Sequence, residues 1–381
     1  MIDLAFYILA TISMFFAFRY VYLVGDVSRT WKKMPDFVPI ISSPQTTISI
    51  IIPARDEEAN ILHCLQHLNR QTYPANLFET IIVDDDSSDK TVSLVQKFIS
   101  ENKQTNAQLI PFNGQEGKKA ALKTGIAQSS STLIITLDAD CTMGANWLSS
   151  IAAFYEQQAP KMIIGPVALH EDNNTFSYLQ DQELRCLVAF TGAYCQHNRP
   201  FLCNGANLIF ERAAYQQVSG YEGNMQVASG DDIFLMNKFQ QTFPGQISFI
   251  KSTQALIYTR AQKQLKIFLH QRIRWASKIG ISTNKSATHV GLIVSGINAV
   301  ILINLLISFF YGKFASIFII LFAIKYAVDG QLLKIVSVFF NKRTRRSQVL
   351  LTAMCYPIYN VIILFLSMRR KYEWKGRKIA G

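Results

Sequence analysis

The segment "TLIITLDAD", Thr132 to Asp140, brings an apolar run to its end on two carboxylates, Asp138 and Asp140. A short, continuous apolar run of this kind is typical of a strand buried in a parallel sheet. Two like charges directly after such a strand repel each other unless a cation or hydrogen-bond donors compensate them. An isolated Asp-x-Asp also fits a solvated turn, so the surrounding sequence must decide between a turn and a binding site.

Short apolar strands alternate with helical patterns ahead of this segment. The run "ISIII", 48–52, is closed by Pro53, and apolar residues then recur at helical spacing through 61–68. The run "TIIV", 80–83, precedes a second helical pattern, and the helix "GKKAALKTGIAQ", 117–128, precedes the central segment. This alternation predicts an α/β fold, a mainly parallel sheet with helices on both faces.

Acidic residues follow three of these predicted strands. In an open α/β sheet, ligands bind at the carboxyl ends of the strands, so these side chains are expected to share one edge. They are Asp56, Glu57, Asp84, Asp85, Asp86, Asp138 and Asp140. So many like charges at one edge predict a bound cation, or a ligand rich in hydrogen-bond donors.

The N-terminal segment predicts a membrane anchor. Residues 2–24 are apolar over the roughly 20 residues that a bilayer span needs, and Arg29, Lys32 and Lys33 follow. A cleaved signal peptide is the alternative, but it would have a basic start and a shorter apolar core. By the positive-inside rule, the chain after the anchor faces the cytosol.

Apolar segments return after Val290, and two or three of them are expected to be membrane segments. The stretch 314–328 is short and Pro357 lies in the last segment, so one of them is expected to be re-entrant or interfacial. The predicted domains are a membrane anchor at 1–25, a cytosolic domain at 46–285, membrane segments at 288–369 and a basic cytosolic tail at 370–381.

The net charge of +12 does not predict a nucleic-acid partner. Much of it lies beside the membrane segments, where Lys and Arg meet anionic lipid. The sequence has no nucleic-acid-binding motif, and its six cysteines have no Cys-x-x-Cys spacing. The expected partners are therefore a lipid bilayer and small ligands, with no nucleic acid.

Seven motifs in order resemble those of the family 2 inverting glycosyltransferases, membrane-anchored enzymes with the GT-A nucleotide-diphospho-sugar transferase fold. They are "IIPARDEEANI", "IIVDDDSSDKT", "GKKAALKTGI", "LDADC", "GANLIFERAAYQQVSGY", "SGDDIFL" and "QRIRW". The resemblance covers about residues 46–280 and includes cellulose and hyaluronan synthases as well as lipid glycosyltransferases. It implies transfer of a sugar from a nucleotide-diphosphate sugar, a UDP-sugar in preference to a GDP-sugar.

The same resemblance implies how the donor is held. Asp138 and Asp140 match the DxD motif, whose carboxylates hold Mg2+ or Mn2+ against the diphosphate. The donor-binding positions carried over from the motifs are Pro53, Glu57, Asp84, Asp85, Lys118, Asp138, Gly205 and Asn207. Asp86 stands where many relatives have Gly, and a solvated helix start is the alternative for Lys118.

The catalytic residues implied by the resemblance are Asp232 as general base, Asp231 as its partner, and the QxxRW residues Gln271, Arg274 and Trp275. A helix cap is the alternative for the two aspartates. On a helix the QxxRW residues share one face, where Arg274 can grip phosphate and the indole can face a sugar. An amphipathic basic helix lying on the membrane is the alternative for that segment.

The expected reaction is metal-dependent transfer with inversion to a hydroxyl of a membrane-associated acceptor, a lipid in preference to a glycan. The protein is expected in a bacterial inner membrane with its catalytic domain in the cytosol. A processive polysaccharide synthase is the alternative within the family, although such enzymes carry more membrane helices. A binding scaffold without activity is the alternative outside it, but none of the acidic or QxxRW residues is lost.

Overall fold

A computed structural model describes residues 2–40, 44–103, 105–112, 117–172, 174–223, 230–281, 284–367, 371–374 and 377–380. The chain divides into two compact units. One unit consists of Met34–Glu171 and Tyr194–Ala261, and the other of Met1–Lys33, Asp172–Ala193 and Gln262–Gly381. We call the first the sheet unit and the second the helical unit. The domain predicted at 46–285 therefore contains residues of both units.

Among the residues that the structure describes, ten strands build the sheet unit. They are β1 Ile48–Ala54, β2 Phe78–Asp84, β3 Ala107–Pro111, β4 Leu133–Thr136, β5 Thr142–Met143, β6 Met162–Ile164, β7 Val167–Leu169, β8 Leu208–Glu211, β9 Ile247–Phe249 and β10 Ile257–Thr259. Seven of them form one sheet in the order β3-β2-β1-β4-β8-β6-β9, in which only β8 runs antiparallel to its neighbours. Strands β5, β10 and β7 form a second, smaller sheet.

The core of the sheet follows from the apolar runs of the sequence. Ile50, Ile51 and Ile52 of β1 are fully buried, as are most residues of β4. Gly125 lets the helix at 118–128 approach β1, because a Cβ there would lie 2.6 Å from Cγ2 of Ile51. The predicted α/β class with a mainly parallel sheet is confirmed.

Among the described residues, six helices lie within the sheet unit, and a seventh contributes only its end. The six are α2 Ile61–Asn69, α3 Thr91–Glu101, α4 Lys118–Gln128, α5 Trp147–Gln158, α7 Arg212–Gln217 and α8 Asp231–Thr242, and the seventh is α6 Thr175–Gln196. Short 3-10 turns lie at Ala75–Leu77 and Thr253–Ala255.

One strand boundary differs from the prediction. We expected Pro53 to close the first strand, but β1 continues to Ala54 and pairs Pro53 with Val83 of β2. On its other side β1 pairs with β4 only as far as Ile51. A proline has no N–H to donate, and its position beyond the β4 ladder makes that loss tolerable.

Long helices dominate the helical unit. They are α1 Ile2–Lys33, α9 Leu265–Ile281, α10 Lys285–Ser308, α11 Lys313–Phe339 and α12 Arg346–Ser367, and a hairpin of β11 Lys371–Trp374 with β12 Arg377–Ala380 follows. Of the tail predicted at 370–381, the residues 370, 375, 376 and 381 lie outside the described part.

Four of these helices, α1, α10, α11 and α12, are long and apolar enough to span a membrane. The short segment expected at 314–328 is part of α11, which has 27 residues, so its predicted shortness was wrong. Lys325 and Asp329 interrupt the apolar sequence there, but they lie one helical turn apart and form an ion pair within α11. Helix α12 continues through Pro357.

Candidate active site

The predicted acidic edge lies where the strand order of the main sheet reverses. Strands β2 and β3 lie on one side of β1, and β4 lies on the other. The carboxyl ends of β1 and β4 therefore flank the crevice in which α/β sheets bind ligands. Asp56 follows β1, Asp85 follows β2 and Asp138 follows β4, so the sequence-predicted acids belong to this edge.

Lys118, the first residue of α4, anchors one group of these acids. Its Nζ lies 2.5 Å from Oδ1 of Asp138, and a quarter of its side chain remains exposed. Burial acts to lower the pKa of Lys118, but the carboxylates of Asp138, Asp231 and Asp232 outweigh it and raise the pKa well above its ordinary value. One ammonium thus stays charged beside three carboxylates that come from distant parts of the sequence.

Gly205 joins the predicted base to the central strand. Its backbone N–H donates to Oδ2 of Asp232 at 3.3 Å, and its carbonyl accepts from the Thr136 hydroxyl at 2.6 Å. A Cβ at Gly205 would lie 3.4 Å from Cβ of Asp232 and 3.8 Å from Oδ2 of Asp231, which are ordinary van der Waals distances. The backbone of this glycine contacts the predicted base through its N–H.

Asp232 is the second residue of α8, the helix that orients it. Its Oδ1 accepts from the N–H of Ile233 at 2.8 Å. Gly230, directly before the helix, has a φ of 89°, a conformation that favours glycine. Gly230 also occupies the N-cap position, so the helix cap considered as an alternative for the two aspartates is not formed by either side chain.

Asp140 is held by a hydroxyl and a thiol. Its Oδ2 accepts from Thr259 of β10 at 2.8 Å, and its Oδ1 lies 3.6 Å from Sγ of Cys141. Burial, followed by the charge of Asp138, raises the pKa of Asp140, and burial raises the pKa of the Cys141 thiol. Cys141 is therefore a protonated donor to the acid beside it. Sequence reasoning missed Thr259, which stands in a short strand with no motif around it.

The donor set at Asp138 and Asp140 fits a hard divalent cation. Among the described residues, no group of three or more His, Cys, Asp and Glu side chains is arranged as a complete metal site. Mg2+ in nucleotide-dependent enzymes uses one or two carboxylates and takes its other ligands from water and substrate phosphates. The two carboxylates match such an incomplete site.

The loop after β2 carries the predicted base-binding acids. Asp84 and Asp85 are buried, and Oδ2 of Asp84 accepts from the N–H of Ser87 at 3.3 Å. Within the described part of the chain, the buried Oδ1 of Asp84 has no hydrogen-bond partner. Asp86 has a φ of 62°, in the left-handed region that favours glycine.

The loops after β1 and β2 are tied to each other. Asp56 accepts from the Ser88 N–H at 2.8 Å, and the N–H of Glu57 donates to Thr91 Oγ1 at 2.8 Å. The N–H of Glu58 donates to Asp89, and the Glu57 carboxylate accepts from Asn60. Asp56 and Glu58 thus brace the two loops, and Glu57 follows three residues after the end of β1.

Asn207, one of the predicted donor-binding residues, has its side chain in the protein interior. Its side chain is fully buried, its Nδ2 donates to the carbonyls of Pro166 and Ala255 at 2.9 and 3.0 Å, and its Oδ1 accepts from the indole of Trp147 at 3.3 Å. All its hydrogen bonds go to the protein interior, so Asn207 joins three segments of the sheet unit instead of facing a ligand.

Gln271, Arg274 and Trp275 lie on α9, which belongs to the helical unit. Each of them is partly exposed. The prediction that the segment is helical agrees with the structure, and the i, i+3, i+4 spacing puts the three side chains on one face of α9.

Comparisons with known proteins agree with this architecture. The family model for Glycosyl transferase family 2 matches residues 49–218, which contain β1 to α7. A solved structure of the mannosyltransferase PcManGT from Pyrobaculum calidifontis, in complex with GDP-Man and Mn2+, aligns with a TM-score of 0.62 and 14% identity. The alignment covers 95% of this chain and 98% of that one, and it establishes a shared GT-A fold.

Curated relatives match over shorter lengths. Glycosyltransferase AglE from Haloferax volcanii is 37% identical over 26% of this chain and 33% of its own. The undecaprenyl-phosphate 4-deoxy-4-formamido-L-arabinose transferase of Pseudomonas aeruginosa is 36% identical over 26% of this chain and 29% of its own. The chain thus spans about a third of the length of these relatives. Residues 49–218 of this chain thus match the Glycosyl transferase family 2 model, and the chain shares its fold with the mannosyltransferase structure.

Proposed function

We propose that this protein transfers one sugar from a UDP-sugar to a hydroxyl of a lipid acceptor at the membrane, with inversion at the anomeric carbon and with Mg2+ or Mn2+ bound. The observation that carries the proposal is the group of three carboxylates around Lys118 at the end of β4. It combines a place for a diphosphate, a place for a cation and a candidate base within one crevice.

The nucleotide end of the donor is proposed to lie against the loops after β1 and β2. The buried Oδ1 of Asp84 can accept an N–H from the base, and the hydrogen bonds between the two loops keep that carboxylate in place. Asp85, Glu57 and Pro53 complete this part of the proposed site. A UDP-sugar is preferred on the motif resemblance, since a guanine ring also offers an N–H that this oxygen could accept.

The diphosphate is proposed to lie at Asp138 and Asp140. A divalent cation held by these two carboxylates would neutralise charge that develops on the leaving diphosphate. Lys118 keeps its positive charge beside Asp138, and so it adds a second cationic group on the protein at the same place. Thr259 and Cys141 hold Asp140 by donating to it.

Asp232 is proposed as the general base that accepts the proton of the acceptor hydroxyl. The N–H of Gly205 and the N–H of Ile233 each donate to one of its oxygens, which fixes the carboxylate without removing its capacity to accept. A single displacement with such a base inverts the anomeric centre and needs no covalent nucleophile. The proposed roles of Asp231, Gln271, Arg274 and Trp275 rest on their motifs.

A lipid acceptor is supported by four helices that are long and apolar enough to cross a membrane. One relative is named for transfer to undecaprenyl phosphate, which favours the same class of acceptor. The sheet unit is proposed to face the cytosol of a bacterium, at the inner membrane, because α1 ends on the basic residues Lys32 and Lys33.

The tail is proposed to lie on that same side. Strand β11 packs on α9, and α9 begins four residues after the sheet unit ends at Ala261. If α1, α10 and α11 cross the membrane and α12 lies at the membrane interface, the basic tail lies in the cytosol, as the positive-inside rule requires. The Pro357 in α12 suits a helix that does not cross in full.

The test compares lipid extracts, by mass spectrometry, from cells that produce the wild-type protein or Asp232→Asn. We expect a lipid whose mass exceeds its precursor by one sugar residue in the wild type and its absence in the variant. Equal product from both would remove Asp232 as base. A ladder of long polymer from the wild type would replace single addition by processive synthesis.

A further inference from the structure

Arg272, the second residue of the "QRIRW" motif, is buried inside the helical unit although it carries a charge. Only 6% of it is exposed. Its Nε donates to Oε2 of Glu183 on α6 at 2.6 Å. A buried guanidinium needs such a partner, because an unpaired charge in this position would be strongly unfavourable.

The same guanidinium contacts two of the three motif residues. Its Nη1 donates to Oε1 of Gln271 at 2.6 Å, and its carbon centre lies 4.2 Å from the ring centroid of Trp275. It also lies 4.5 Å from the ring of Phe268, one turn earlier on α9. One planar group therefore fixes an amide by a hydrogen bond and an indole by a cation–π contact.

Glu183 is itself fixed from a third helix. Its Oε1 accepts from the hydroxyl of Tyr359 on α12 at 2.9 Å, while its Oε2 is used by Arg272. The ring of Tyr359 stacks on Phe268, with centroids 5.6 Å apart and planes at 28°. Helices α6, α9 and α12 thus meet at one carboxylate.

We propose that Glu183 and Arg272 are positioning residues, which set the side chains of Gln271 and Trp275 for the reaction, with Tyr359 orienting Glu183. This inference rests on the proposed function insofar as it takes the QxxRW residues to act in sugar transfer. Arg272 does not touch the substrate in this scheme. It acts through its neighbours, because its Nε and Nη1 are used for Glu183 and Gln271.

A lysine cannot replace this arginine. It has a single nitrogen, so it cannot donate to Glu183 and Gln271 in the geometry of a guanidinium, and it has no planar face to lay on Trp275. Arg272→Lys keeps the charge and is therefore expected to keep the fold while loosening Gln271 and Trp275.

The chain offers a matched control two residues away on α6. Asp181 is as buried as Glu183, with 10% and 13% of their side chains exposed, and it also forms buried ion pairs, with Arg185 at 2.9 Å and Lys342 at 2.7 Å. Those partners lie on α6 and after α11, not in the QxxRW motif. Asp181→Asn therefore measures the cost of losing a buried carboxylate without disturbing Gln271 or Trp275.

The experiment uses the full-length protein in detergent with lipid extract, a panel of UDP-hexoses and UDP-N-acetylhexosamines, and Mn2+. We expect Glu183→Gln to lower kcat by about tenfold to a hundredfold, as small misplacements of reacting groups do, with KM for the donor unchanged. Asp181→Asn is expected to keep the kcat of the wild type. In a Gln271→Ala, Trp275→Phe background, Glu183→Gln is expected to have little further effect on the residual activity, because both groups through which it acts are gone.

Tyr359→Phe gives a milder variant if Glu183→Gln does not fold, since it removes one of the two hydrogen bonds to the carboxylate. It is expected to lower kcat in the same direction by a smaller factor. A loss of kcat shared equally by the Asp181 and Glu183 variants would overturn the inference, as would a full effect of Glu183→Gln in the Gln271→Ala, Trp275→Phe background.

The fluorescence of Trp275 separates this inference from the proposed function. The difference between the emission of the wild type and of Trp275→Phe isolates this indole from the other three tryptophans of the chain. Glu183→Gln and Arg272→Lys are expected to shift that emission, and Asp181→Asn is not. If no UDP-sugar is turned over, the proposed function fails, and an unshifted Trp275 emission would overturn the positioning as well.

Discussion

The substitution Asn207→Ala distinguishes a structural asparagine from a donor-binding one. It removes two hydrogen bonds to backbone carbonyls, of Pro166 and Ala255, and one from the indole of Trp147. All four residues are buried, so the groups left behind cannot turn to bulk water.

The magnitude follows from these three groups. Each buried polar group left without a partner costs about 1–3 kcal/mol, and water entering the new space would recover a part. We expect the free energy of unfolding to fall by about 3 kcal/mol, which lowers the Tm by roughly 6–12 °C for a domain of this size. The affinity for UDP of the protein that remains folded should stay as in the wild type.

The assay is thermal unfolding of the full-length protein in detergent, with UDP binding measured below the transition. Asn204→Ala is the matched control, because Asn204 lies in the same loop and its side chain accepts one local hydrogen bond, from the Ala206 N–H at 3.0 Å. We expect that control to lower the Tm much less. An unchanged Tm for Asn207→Ala together with weaker UDP binding would refute the structural role.

Three further predictions concern packing, pH and topology. Gly165→Ala should lower the Tm, because a Cβ there would lie 2.2 Å from Nδ2 of Asn207. Gly144→Ala should leave the Tm unchanged, because a Cβ at that position would have no atom within 4 Å, and equal Tm values for the two variants would contradict the packing. Burial acts to raise the pKa of Asp89, but hydrogen bonds from Thr91 and from the Glu58 N–H lower it overall. The stabilisation from this carboxylate is therefore present above the pKa of the unfolded chain and is lost as the pH falls through the lower folded value. Asp89→Asn should flatten that part of the Tm–pH curve, and an unaltered curve would argue against it. Lys378→Cys, in a background without other cysteines, should react with a membrane-impermeant maleimide in inverted vesicles; reaction only in right-side-out cells would mean that α12 crosses the membrane.

The main sheet and its acidic edge could be predicted from the sequence because the signals are local. The apolar run before Asp138 and the repeated strand-and-helix pattern identify β1, β2 and β4 without knowledge of any contact. The order of the strands then puts the acids at one edge by a general property of such sheets. The resemblance carried by the motifs added the roles that local patterns do not contain.

The partners of the site residues could not be predicted in this way. Thr259 donates to Asp140 across 119 positions of sequence, and Asn207 is held by three segments that only the folded sheet brings together. The left-handed backbone at Asp86 also depends on the loop around it. The apolar run at 314–328 stops directly before Asp329, whereas α11 continues past this residue to Phe339 with Lys325 and Asp329 paired inside it.

The most direct test of the central claim is the anomeric configuration of the product formed by the purified protein from an α-linked UDP-sugar, a lipid extract and Mn2+, measured by proton NMR. Direct displacement with Asp232 as base predicts a lipid that carries a single β-linked sugar, and no such product from Asp232→Asn. A product that retains the α configuration, or one that the Asp232→Asn protein forms at the same rate, would contradict the account.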